Sequence, residues 1–182
     1  AVVGFAAVVH PDNTVDSLTK DDLIRIFTGQ VTNWQQLGGQ EEPIVIINRP
    51  RGSGTRTIFK QIALDGSEET EGITQEASGA VRQMVAQLPG AISYLALPYL
   101  NKSVKPLQLN GVAPTAENIA RDKYALWSYE HMYTRGQPSG VAKAFLDYIM
   151  SDKAQEQLVK DAGYIPIADM KVTRQPPRRE AS

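Results

Sequence analysis

Cysteine is absent from the 182 residues, which removes disulfides, thiolate metal sites and cysteine nucleophiles together. Histidine occurs only as His10 and His131, too few for a histidine-rich metal centre. Charge of one sign is lacking too: 19 lysines and arginines face 20 acids, a net charge of −1. Such a balance supplies no global positive field and argues against a nucleic-acid partner. The longest apolar run, residues 1–9, is too short to span a bilayer. It lacks the basic start and cleavage site of a signal peptide, so any export signal is expected outside this chain. With 14 glycines, 11 prolines and 42% hydrophobic residues, the composition excludes a collagenous, low-complexity or disordered chain.

What is present alternates between strand and helix patterns, the mark of an α/β architecture. Residues 1–9 (AVVGFAAVV) form a nearly continuous apolar run, as expected of a strand buried on both faces. Thr19, with Asp22 three residues on, caps a helix through Phe27, and Gly29 ends it. A second buried strand is expected over 43–48, then a Gly/Ser/Thr turn and a helix near 55–64. The stretch 65–76 holds five acids and no base, and reads as a solvated loop. A helix from Ser78 places Val81, Met84, Val85 and Leu88 on one face before Pro89-Gly90 stops it. Further expectations are strands at 91–97 and 124–133, a short helix at 115–121, helices at 139–150 and 151–162, and a short strand at 164–167. The end of the chain from Thr173 has no apolar periodicity and reads as disordered.

The stretch most informative about function is 48–60, NRPRGSGTRTIFK, with Arg49, Arg51, Arg56, Lys60 and no acid. A small-residue turn between a strand and a helix leaves backbone N–H groups without helical partners, and the helix dipole adds partial positive charge. Gly52 and Gly54 allow close approach of a ligand to the backbone, Ser53 and Thr55 add hydroxyls, and an arginine can grip an oxyanion in a paired fork. The sum suits a tetrahedral anion, phosphate or sulfate. Gly-Ser-Gly-Thr is also an ordinary capped loop. It matches neither the Walker A loop, nor the nucleophile elbow (Arg51 stands where that pattern wants glycine), nor GxGxxG. Catalytic constellations are thin: Asp21-Asp22 read as charges that compensate a helix dipole, and Trp34 and Trp127 as core. The expectation is therefore no catalytic residue, no metal and no cofactor.

The segment VDSLTKDDLIRIFTGQVTNW (15–34) followed by NRPRGSGTRTIF (48–59) resembles the phosphate-binding proteins of bacterial phosphate ABC transporters. QLPGAISYLAL (87–97), YTRG (133–136) and AFLDYIMSDKAQEQLVKDAGYIPI (144–167) extend the resemblance over almost the whole chain. It implies an α/β, type II periplasmic-binding-protein fold whose two lobes enclose phosphate. It further implies that Arg49, Ser53, Gly54 and Thr55 touch the anion, with Gly52 and Arg56 as additional candidates. Members of this family begin with a lobe not seen here. The reading is thus one complete lobe plus the C-terminal part of the other, and the family's hydrogen-bond-accepting carboxylate, which favours hydrogen phosphate over sulfate, is expected in the missing half. Residues 1–10 would be the crossover strand, 11–123 the phosphate-binding lobe, 124–134 the return strand, 135–170 the C-terminal helices of the first lobe and 171–182 a disordered tail. The implied partners are inorganic phosphate and a membrane permease, the setting is extracytoplasmic, and a homodimer is expected of the chain alone. Two other readings remain at this point: a surface interaction protein that keeps the fold without the ligand, and a phosphoester-processing enzyme.

Overall fold

The structure, a computed structural model, describes residues 1–174. The apolar opening run becomes strand β1, Val2–Val9, buried at every position. It lies inside a mixed sheet with β3 (Val45–Asn48), β4 (Ile73–Thr74), β5 (Ala91–Ala96) and β6 (Lys105–Pro106), in the order β4-β3-β5-β1-β6. Strands β3, β4 and β5 run parallel, whereas β1 is antiparallel to β5, with Phe5 opposite Ala96 and Val9 opposite Ile92. The first residues of β1 pair instead with β8 (Trp127–Tyr129), Val2 opposite Tyr129 and Gly4 opposite Trp127. A separate two-stranded piece joins β2 (Ser17–Leu18) to β7 (Gln108–Leu109).

Because side chains alternate along a strand, the sheet feeds two cores. Phe5, Ala7 and Val9 of β1 and Ile92, Tyr94 and Ala96 of β5 join the larger cluster, with Leu23, Ile26 and Phe27 of α1 (Lys20–Phe27) and Phe59 and Ala63 of α2 (Gly54–Ala63). Ala6 and Val8 face the other way, onto Val81 and Val85 of α3 (Ser78–Gln87), with Met84 and Leu88 packed partly buried beside them. The cap read at Thr19 forms as expected: its side chain accepts from the Asp22 N–H at 3.0 Å, while Asp22 reaches back to the Thr19 N–H. Gly29 takes φ 79°, the left-handed turn that closes α1.

Several expected elements come out differently. Of the strand expected at 124–133 only β8 forms, opposite Val2–Gly4 of β1; the Glu130 N–H donates to the Ala1 carbonyl, and no strand among the described residues runs beside 131–133. The strand at 164–167 is a single antiparallel bridge, Val2 to Ile165. The short helix is α4 (Ala116–Ala120), and 139–150 gives α5 (Gly140–Met150). In the helix expected at 151–162, residues Ala154–Val159 are wound as π-helix. Residues 171–174, read as tail, are packed: the Arg174 guanidinium lies 3.9 Å from the Trp127 ring centre, and Asp122 and the Ala125 carbonyl accept from it. The rest of that expected tail, 175–182, lies outside the described residues. No helix among the described residues is long and apolar enough to cross a membrane.

Candidate functional site

The turn between β3 and α2 carries the site read from the sequence. Ser53 caps α2, its hydroxyl accepting from the Arg56 N–H at 3.3 Å. A hydroxyl that accepts in this way still has its own hydrogen to donate. The N–H groups of Gly54 and Thr55 open the helix, ahead of the first intrahelical bond, from Thr57 to the Ser53 carbonyl. A Cβ placed on Gly52 or Gly54 would touch nothing within 4 Å, so the space beside this backbone is open.

That space is a cleft of about 500 Å³ whose walls include Arg49, Gly52, Ser53, Gly54 and Thr55. Four of these residues are the principal candidates, and Gly52 is one of the two additional ones. Arg49 sits just past the end of β3. Its terminal nitrogens donate to the Ser78 hydroxyl and the Glu76 carbonyl, both at 2.9 Å, and its Nε is buried with no hydrogen-bond partner. Two of five guanidinium donors are thus engaged, which fixes the plane of the group and leaves donors over. Ser78, at the start of α3, also lines the cleft, as do Tyr99, Glu130 and Tyr164. Sequence reading missed all four, since they come from separate segments that only the fold brings together.

Arg56 is placed elsewhere. Its side chain does not line this cleft but turns to Glu69, with Nε 3.2 Å from Oε2. The acidic loop, whose composition reads as solvated throughout, is therefore partly drawn inward: the Glu69 side chain is fully buried. The loop also supplies β4, which was not expected there. Burial holds the Glu69 carboxyl above the usual carboxylate range, against the opposing pull of Arg56 and of a hydrogen bond from Tyr94. Lys60 and Glu68 also act on it, with opposite signs.

A raised carboxyl pKa means that, above about pH 4.5, the unfolded chain releases this proton before the folded one does. Stability contributed at this position is then present at low pH and declines as pH rises through the folded value. The expected result is that wild type loses stability relative to Glu69→Gln between pH 4.5 and neutrality. Urea unfolding of both proteins across that range measures it, and a constant difference would contradict the burial argument.

Comparison with known proteins gives this geometry its relatives. Residues 1–153 match the family model described as a PBP superfamily domain. Over 175 residues the chain is 50% identical to the phosphate-binding protein PstS of Bacillus subtilis, covering 96% of this chain and 58% of that protein. It is 26% identical to the PstS of Borreliella burgdorferi, covering 88% and 62%. The chain thus spans about three fifths of the length of these curated relatives. Among solved structures, a phosphate ABC transporter substrate-binding protein from Clostridium perfringens, with bound phosphate, superposes with TM-score 0.82 at 31% identity, covering 92% of this chain and 70% of that one. An ABC-type phosphate transport receptor from Vibrio cholerae gives 0.76 at 28%, covering 91% and 70%. On a family match over most of its length and a half-identical relative, the chain belongs to the PBP superfamily, among the relatives of PstS.

Proposed function

We propose that this chain captures inorganic phosphate for an ABC transporter, with Arg49, Ser53, Gly54 and Thr55 as its phosphate contacts and Gly52 allowing close approach. The observation that carries the reading is convergence: free helix-start N–H groups, two hydroxyls and an anchored guanidinium all border one cleft. Helix starts of this kind favour tetrahedral anions, and the relatives are named for phosphate. Arg56 is left out of the contact set because its guanidinium pairs with Glu69. In this reading residues 1–10 and 124–134 are the crossing strands, 11–123 the phosphate-binding lobe and 135–170 helices of the other lobe. The partner that receives the phosphate is a membrane permease, and the setting is extracytoplasmic.

The cleft is bordered by the described residues and open to solvent, where each donor is worth less than in a closed site. For the 182-residue chain by itself, the affinity is expected on the order of millimolar, about −4 kcal/mol. Titration into tens of millimolar phosphate, followed by phosphorus NMR, tests the reading. Saturable binding lost in Thr55→Val supports it, whereas no binding by the wild-type chain overturns it. Phosphomonoester hydrolysis that depends on Ser53 or Thr55 would favour the enzyme reading instead, since a carrier must release its ligand unchanged.

A dimer is proposed for the same chain. In α5, Val141 is 86% exposed and Phe145 54%; Met150 at its end and Leu158 beyond it are also exposed. An uncovered apolar face of that kind favours association. Light scattering is expected to show a concentration-dependent mass above that of the monomer, and Phe145→Asp is expected to reduce it.

A further inference from the structure

Beside the turn, four groups form a polar ring that is left open between Tyr94 and the Arg49 backbone. The Arg56 Nη1 donates to the Arg49 carbonyl at 2.6 Å, and its Nε lies 3.2 Å from Glu69 Oε2. Glu69 Oε1 accepts from the Tyr94 hydroxyl at 3.0 Å, while the buried Oε2 has no hydrogen-bond partner and is held to Arg56 as an ion pair. The ring runs from the Arg49 carbonyl through Arg56 and Glu69 to Tyr94. Each corner comes from a different segment: the end of β3, the middle of β5, the loop after α2, and α2 itself. Tyr94 is held in turn by its ring, stacked on Phe59 of α2 at 4.1 Å.

The ring is sheltered, with the Glu69 side chain 0% exposed and that of Arg56 15%. Arg49 belongs to both systems. Its backbone is gripped by the ring while its side chain lines the cleft. We propose that Glu69, acting through Arg56, is a positioning residue for the anion site: it locks the Arg49 backbone so that the guanidinium and the Ser53 cap keep their places. The identity of the ligand rests on the phosphate reading above; the ring does not.

Two roles for Glu69 predict opposite signs. As a background negative charge near an anion, it would repel phosphate, and neutralising it would tighten binding. As a positioning group, its neutralisation frees Arg56 from Arg49 and weakens binding. Glu69→Gln keeps the shape and the acceptor for Tyr94 while removing the charge that holds Arg56. Arg56→Lys keeps the charge, but a single ammonium on a flexible stem cannot reproduce the guanidinium's separate contacts with Arg49 and Glu69.

The test uses hydrogen–deuterium exchange on the unliganded chain, with phosphorus NMR titration of inorganic phosphate on the same proteins. In both variants the backbone amides of 49–56 are expected to exchange several times faster, with those of β1 unchanged. The phosphate dissociation constant is expected to rise about three- to tenfold, the scale of coupling within one hydrogen-bond network. Unaltered exchange in the turn overturns the ring as a brace. Faster exchange with equal or tighter phosphate binding overturns the positioning role. Should wild type bind no phosphate, the phosphate reading fails, and exchange still judges the ring. Should Glu69→Gln not fold, Arg56→Lys decides both points.

Discussion

Arg49→Ala is expected to weaken phosphate binding by about 1.5–3 kcal/mol, the range for hydrogen bonds to a charged group. From a millimolar starting point, that loss puts saturation beyond the reach of titration. The effect is large because Arg49 is already oriented. Its two terminal nitrogens are tied to Ser78 and Glu76, so little rotamer entropy remains to be lost when an anion arrives. Arg49→Lys should recover only part of the loss, since an ammonium on a flexible stem cannot hold Ser78, Glu76 and an anion in one plane. Phosphorus NMR titration of the three proteins measures this. Unchanged affinity in Arg49→Ala would remove that side chain from the site.

Phe59→Ala is expected to cost about 3–5 kcal/mol of folding stability. Phe59 is fully buried, stacked on Tyr94 at 4.1 Å and meeting the edge of Phe27 at 5.2 Å. It and Ala63 are the buried residues of α2, so the helix that Ser53 caps is seated chiefly by this one ring. Truncation removes the ring's contacts and leaves a cavity lined by two aromatics that can relax only partly. Urea denaturation with a shifted midpoint and an unchanged slope is the expected record. A cost below about 1 kcal/mol would mean that the neighbours close the space and that α2 is seated by other contacts.

Elements with a strong local signal were legible in the sequence. The Thr19 cap, the buried run of β1, the turn at Ser53 and the face of α3 each announce themselves within ten or so residues, by periodicity, a cap or a lack of charge. What failed was decided at long range. How much of 124–133 becomes β8 depends on which residues find a partner in β1, which no local pattern in that stretch records. Glu69 looks like its acidic neighbours Glu68 and Glu71 until the fold brings Arg56 and Tyr94 around it. Arg174 sits in a stretch without apolar pattern, yet its planar cation finds the face of Trp127. The turn at Ser53 was readable as a candidate site because its donors are carried by consecutive residues. The other lining groups, Ser78, Tyr99, Glu130 and Tyr164, were not, since their nearness to the turn is a property of the assembled sheet.

The placement of β1 also sets a timetable. Among the described residues its partners β5, β6, β8 and the bridge at Ile165 all lie far downstream. At a synthesis rate of about 5–20 residues per second, β1 waits several seconds for β5 and longer for β8. During that interval an eight-residue apolar segment, rich in valine and without charge, lacks the partners that β5, β6 and β8 supply. Contacts so distant along the chain also close slowly once available. An interior strand of the finished sheet is therefore, until β5 emerges, a segment exposed to aggregation on which a holding chaperone would act.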